Sequence, residues 1–273
     1  MIYLAFNSFT PDLNQQIALD SWRYLQDVEL IKGIYDVQFA DDPIINHHDV
    51  NTIHSLERSS LDLCNNGKKK LPIVCDIIQS VIERCNADDY IIFTNNDIII
   101  NKNLIKYINE NTPDAVVCSR MNIQPINSFN DILNKNVVPD KIEIWGYDTF
   151  VFRAGWWSEY SKYFNEYLLG MPVWDNIFAC IIKLFGGNYD IGNTAPPFCF
   201  HVTHAPTWQM GNDTPERAYN HSLLDSNKLD RLFMGIIDNW HLNYINKRRP
   251  AGKFFNTIPQ EKELEYGIFN ILH

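Results

Sequence analysis

Short apolar runs alternate along the first part of the chain with segments whose apolar residues recur at helical spacing, the signature of strands and helices taken in turn. Ile2 to Phe6 reads as a first strand, followed by a turn over Asn7 to Thr10 and then a helix. Thr10 is placed to cap that helix, with Pro11 at its first position and Asp12 in its first turn, while Ile17, Ala18, Trp22 and Leu25 form its apolar side. Val28 to Ile34 is a second strand candidate ending near Asp36. From Phe39 to Lys70 the period is weaker: Asp41, Asp42 and Pro43 mark a loop, and Ile53 to Cys64 reads as a helix broken by NNGKKK. Pro72 opens another helix, with Ile73, Ile77, Ile78, Val81, Ile82 and Cys85 on one side. Tyr90 to Phe93 is apolar throughout, as a strand buried on both faces would be. A helix from Asn101 through Ile108 and a strand at Ala115 to Cys118 follow. The alternation predicts an α/β fold with a mainly parallel sheet flanked by helices and wound by right-handed crossovers.

In the second half, Met121 to Lys141 lacks a regular period and Glu143 to Phe152 is a strand candidate. An aromatic segment then carries Trp156, Trp157, Tyr160, Tyr163, Phe164 and Tyr167. Pro172 to Phe185 reads as a helix with Asp175 and Asn176 in its first turn and Gly186 and Gly187 closing it. The strand FCFHVTHAPTW brings His201 and His204. Asp213, Thr214, Pro215 and Glu216 form a helix start, and Leu229, Leu232, Phe233, Ile236, Ile237 and Trp240 form a helical stripe. These features predict a C-terminal helical extension over 213–273 packed on a main domain of 1–212.

The 273 residues suffice for a substantial core. A net charge of −10 at pH 7 argues against a general nucleic-acid footprint. Cys64, Cys75, Cys85, Cys118, Cys180 and Cys199 lie far apart without a CxxC pair, so reduced thiols are expected rather than a zinc site or a disulfide framework. With neither a signal-like N-terminus nor an apolar run of membrane-spanning length, the expected location is cytoplasmic. Lys247, Arg248, Arg249 and Lys253 cluster where a pyrophosphate or an anionic membrane surface would meet them, and equally where a solvated helix would end.

Candidate chemistry centres on Asn95, Asn96 and Asp97, at what would be the carboxyl end of the Tyr90 strand. Ligands of open α/β sheets bind at that edge, and a carboxylate there suits a divalent metal held against a diphosphate. Asn and Asp also form ordinary turns. Asp175 is an acid at a helix N-terminus, where the dipole favours its ionised form and where such acids also simply stabilise helices. Neither GxGxxG nor GxxxxGK occurs.

Taken in order, FTNND, GYDTFVFRAGWW, MPVWDNIFACIIKLFGG and FHVTH resemble the features of GT-A (Rossmann-like) nucleotide-sugar glycosyltransferases, most like family 2 in layout, over residues 1 to 208. The resemblance implies transfer of a sugar from a nucleotide diphosphate donor, UDP- or GDP-linked, to a glycan or lipid-linked glycan acceptor. Asp97 would be the ligand of Mn²⁺ or Mg²⁺, with Asn95 replacing the first carboxylate of a DxD motif, and His201 or His204 would complete the set. Asp175 would be the general base of an inverting enzyme. A retaining transferase, and a non-catalytic glycan- or nucleotide-binding module, are the alternatives. For the donor, the resemblance points to Asn7, Ser8, Thr10, Asp36, Lys70, Asp76, Asn95 and Asn96. Asp148, Trp156, Trp157 and Trp174 would meet the sugar or acceptor, although such rings also pack cores.

Overall fold

A computed structural model describes residues 1–8, 12–134, 137–143, 147–186, 197–204 and 214–236. The first half contains β1 (Ile2–Phe6), α1 (Leu13–Asp27), β2 (Gly33–Phe39), β3 (Asn51–Leu56), α2 (Ser60–Leu63), α3 (Val74–Ile82), β4 (Tyr90–Thr94), β5 (Ile98–Ile100), α4 (Lys102–Asn111) and β6 (Ala115–Cys118). The second contains β7 (Arg120–Ile123), α5 (Phe129–Leu133), β8 (Pro139–Glu143), β9 (Thr149–Arg153), α6 (Ala154–Tyr160), α7 (Trp174–Ile181), β10 (Cys199–Val202) and α8 (Pro215–Ser226). A further helical segment covers 228–236.

The central sheet has the order β3-β2-β1-β4-β9-β6. β3, β2, β1 and β4 are mutually parallel, and β9 runs antiparallel between β4 and β6. The helix-flanked, mainly parallel sheet expected from the alternation is present. Its strands are apolar at successive positions because both faces are covered. Ala5, Val37, Phe93, Phe150 and Phe152 meet α3, α6 and α7 on one face, while Leu4, Phe6, Ile34, Ile92 and Val151 meet α1 and α4 on the other. A second sheet, β5-β10-β7-β8, continues from the first at two crossings: Asn95 to Asp97 after β4, and Ser119 after β6.

Several expected elements are corrected. The first helix is capped by Asp12, whose carboxylate accepts from the backbone of Gln15 (2.9 Å), while Thr10 lies outside the described residues. The second strand begins at Gly33, so Asp36 is interior to it rather than beyond its end. Residues 51–56 form a strand, not a helix, because β2 needs a parallel neighbour for its edge and Ile53 and Leu56 supply the buried side. The stretch 121–141 holds most of β7, α5 and part of β8, and of the strand expected over 143–152, Glu143 ends β8 and Thr149 opens β9.

The described start of the C-terminal extension follows its signals: Thr214 caps α8 by accepting from Arg217 (3.3 Å), and Phe233 and Ile236 are buried with α7 in one cluster. Ile237, Trp240, Lys247, Arg248, Arg249 and Lys253 lie outside the described residues. All six cysteines are free thiols. Burial, with Asp89 beside it, pushes the Cys85 thiol up to about 11, which keeps it protonated and unreactive. No described helix is long and apolar enough to cross a membrane.

Candidate active site at the carboxyl edge of the sheet

β4 and β6 point their carboxyl ends in one direction, and the reversal of β9 brings its amino end to the same edge. Thr94 and Thr149 face each other there, their hydroxyls 2.9 Å apart. The backbone N–H of Asn95 donates to the Asp148 carbonyl (3.0 Å), and its side-chain amide donates to the Asp148 carboxylate (2.5 Å). The other Asp148 oxygen is ion-paired with Arg120, at the start of β7. Asp148 is 8% exposed and paired on both oxygens, so it organises the edge. Asn95 is likewise committed through its amide group.

Asp97 follows directly, held in place because α1 grips β5. The indole of Trp22 donates to the Ile98 carbonyl (2.9 Å), and the Ile100 N–H donates to Ser21 Oγ (3.3 Å). The antiparallel pair His201↔Ile98 sets β10 beside it. His201 and His204 then converge on Asp97: each Nε2 lies 3.3 Å from Asp97 Oδ2, and the two Nε2 atoms are 3.1 Å apart. Burial works to raise the Asp97 carboxyl, but hydrogen bonds from both histidines and the charges of His201 and Arg120 hold it well below the usual range. Asn122 Oδ1 accepts from His201 Nδ1 (3.3 Å), which orients the ring with Nε2 toward Asp97.

The donor set of one carboxylate and two imidazoles fits a divalent cation. Two imidazole nitrogens in contact need a shared proton or a cation between them. The separations of 3.1 and 3.3 Å match neighbouring ligands on one ion with bonds of roughly 2.0–2.3 Å. His201 and His204 are alternatives on sequence grounds, and the fold brings both to Asp97.

Asp175 stands in the first turn of α7, half-buried, and accepts from the Tyr147 N–H (3.3 Å). Burial and the neighbouring Asp148 charge push its carboxyl up to about 7. Val173, just before α7, has φ 93°, a conformation costing a β-branched residue about 1–3 kcal/mol.

The other expected donor contacts are spread out. The Asn7 amide donates to the Val37 carbonyl (2.7 Å). Asp36 is fully buried and accepts from the Ser8 N–H (2.9 Å), the Ser8 hydroxyl (2.6 Å) and Gln38 (2.6 Å), so it presents no oxygen to the cleft. Lys70 is paired with Asp41 and Asp42 (2.6 and 2.8 Å), and Asp76 with Arg58 (2.9 Å). Asn96 is half-buried in the turn before Asp97. Trp156 and Trp157 are 2% and 1% exposed, packed around Phe152 and Phe164, while Trp174 packs on Phe93, Phe150 and Phe178. These rings fill the core and offer no stacking platform. Arg120 and Asn122 were missed because Asn122 lies in the stretch without period and Arg120 just before it; alternation over Arg120 to Ile123 is their only signal.

No family model matches the chain, and no curated relative is detected. Among solved structures, it is similar to a 2-C-methyl-D-erythritol 4-phosphate cytidylyltransferase from Francisella tularensis (TM-score 0.37, 11% identity, 81% of this chain and 98% of that one). It is similar also to a mannosyltransferase from Pyrobaculum calidifontis in complex with GDP-Man and Mn²⁺ (TM-score 0.44, 14% identity, 97% and 68%). A third is GalNAc-T7 with UDP, GalNAc and Mn²⁺ (TM-score 0.48, 9% identity, 96% and 53%), of which this chain spans about half.

Proposed function

We propose that this protein is a GT-A nucleotide-sugar glycosyltransferase acting with inversion. The observation that carries the reading is the meeting of Asp97, His201 and His204 at the sheet edge that also holds Asp175, an acid pushed up to about 7. A carboxyl tuned to that range is suited to general base work near neutral pH.

Asp175 takes the proton of the acceptor hydroxyl as its oxygen bonds to the anomeric carbon, and the bond from that carbon to the diphosphate oxygen breaks with its electron pair. The Tyr147 N–H keeps the accepting oxygen oriented. Asp97, His201 and His204 would hold Mn²⁺ or Mg²⁺, which supplies charge neutralisation for a diphosphate. Asn95 and Arg120 hold Asp148 in position beside the base. The donor is a nucleoside diphosphate sugar and the acceptor a glycan hydroxyl.

The test is a thermal-shift panel of UDP, GDP, CDP and dTDP, each with and without Mn²⁺. One nucleotide is expected to stabilise the protein only with the metal, by about 2.7 kcal/mol at one hundred times its dissociation constant. D175A is expected to keep that shift and lose transfer. Silence across the whole panel would overturn the reading.

A further inference from the structure

The described part of the C-terminal extension touches the sheet edge only at second hand, yet two of its buried polar side chains, Asn220 and Asp230, reach one segment. Asn220, on α8, is fully buried. Its Oδ1 accepts from the Leu168 N–H (2.9 Å), and its Nδ2 donates to the carbonyls of Leu168 (3.2 Å) and Pro172 (3.1 Å). Asp230, also fully buried, accepts from Asn165 (2.7 Å) and from the Tyr167 hydroxyl (2.5 Å). Glu216 anchors the start of α8 by accepting from the backbone N–H groups of Lys68 (2.5 Å) and Lys69 (2.8 Å). From the other side, the Pro72 carbonyl accepts from Leu169 (2.9 Å), and Val74 N–H donates to the Tyr167 carbonyl (3.0 Å).

The clamped segment runs through Gly170, with φ 77°, to Val173, with φ 93°, and then enters α7 two residues before Asp175. Val173 has no glycine-like freedom, so its conformation persists only where the surroundings fix it. The residue immediately before it, Pro172, is the one whose carbonyl Asn220 holds. We infer that Asn220 is a positioning residue for Asp175: by gripping Leu168 and Pro172 it fixes the strained entry to α7 and hence the placement of the carboxylate against the Tyr147 N–H. The C-terminal extension thereby becomes a working part of the catalytic edge. This inference rests on the transferase reading for its catalytic consequence, but the placement of Asp175 is measurable without turnover.

The experiment compares wild type with N220A on the full chain by two readouts. One is the titration midpoint of the Asp175 carboxyl carbon by ¹³C NMR, assigned with D175N. The other is the separation of kcat from donor KM in a transfer assay. Asp148 is the charged neighbour of Asp175, Arg120 is ion-paired with Asp148, and neither is touched by the substitution. The expected result is a midpoint displaced by at least half a pH unit, with kcat lowered about tenfold or more and donor KM within about twofold.

An unchanged midpoint with unchanged kcat overturns the inference, and so does a loss confined to the folded fraction with the midpoint in place. A displaced midpoint in a protein that transfers no sugar upholds Asn220 as a positioning residue while removing the transferase reading. If N220A lacks a cooperative thermal transition, N220S, which retains a hydroxyl at the site, carries the same comparison and the same criteria.

Discussion

The carboxylate of Asp175 accepts from the backbone N–H of Tyr147 at 3.3 Å, which places the acid beside Asp148 while giving its charge only modest support. Burial and the Asp148 charge outweigh that hydrogen bond, so the folded protein holds the Asp175 proton up to about pH 7.

This has a signed consequence for stability. Between about pH 4 and pH 7 the unfolded chain has lost the proton that the folded chain keeps, so stability falls as pH rises through that window and levels off above it. D175N removes this pH dependence. Denaturant melts are expected to show D175N gaining on the order of 2 kcal/mol relative to wild type from pH 4 to pH 8, a linkage value discounted for solvent reaching the half-buried side chain. In the transfer assay, wild-type activity is expected to rise through a midpoint near pH 7 and then plateau.

Asn122 gives a prediction about the metal. Its Oδ1 orients the His201 ring without being a ligand, so N122A is expected to weaken Mn²⁺ binding by about 10–100-fold, read by calorimetry, with the melting temperature of the metal-free protein little changed. H204A, which removes one of the three converging groups, is expected to lose metal-dependent stabilisation altogether.

The Arg120 and Asp148 pair is a stability element as well as a site element. R120A leaves the Asp148 charge largely buried with only Asn95 to meet it, and is expected to cost about 3–5 kcal/mol in denaturant unfolding. R120A/D148N is expected to recover part of that loss, because the stranded charge is gone.

Trp156 and Trp157 separate a core role from a binding role. W156A and W157A are each expected to lose about 3–5 kcal/mol of stability, while the fraction that folds keeps the wild-type acceptor KM.

Much of the fold was legible because strands buried on both faces and amphipathic helices write their period into the chain. Ile2 to Phe6, Tyr90 to Thr94 and the helix behind Asp175 are examples. β3 was not legible: Asn51 to Leu56 mixes polar and apolar residues at an edge, and its strand state comes from pairing with β2. The convergence of Asp97 with the histidines was only half legible. Their types and strand ends can be read, but the antiparallel registration of β10 on β5 is a long-range fact. The tryptophans went the other way. Their residue type suggested ligand contacts, whereas the depth of the core assigned them to structure.

The chain leaves the first sheet for the second at Asn95 to Asp97 and again at Ser119, and both crossings lie at the site. The candidate metal ligands and the Arg120–Asp148 pair therefore sit on a seam. A substitution far out on either sheet that changes the angle between them moves Asp97 relative to Asp148 without touching either. Activity in this fold should thus be sensitive to remote packing errors in proportion to how much they tilt one sheet, rather than to their distance from the chemistry.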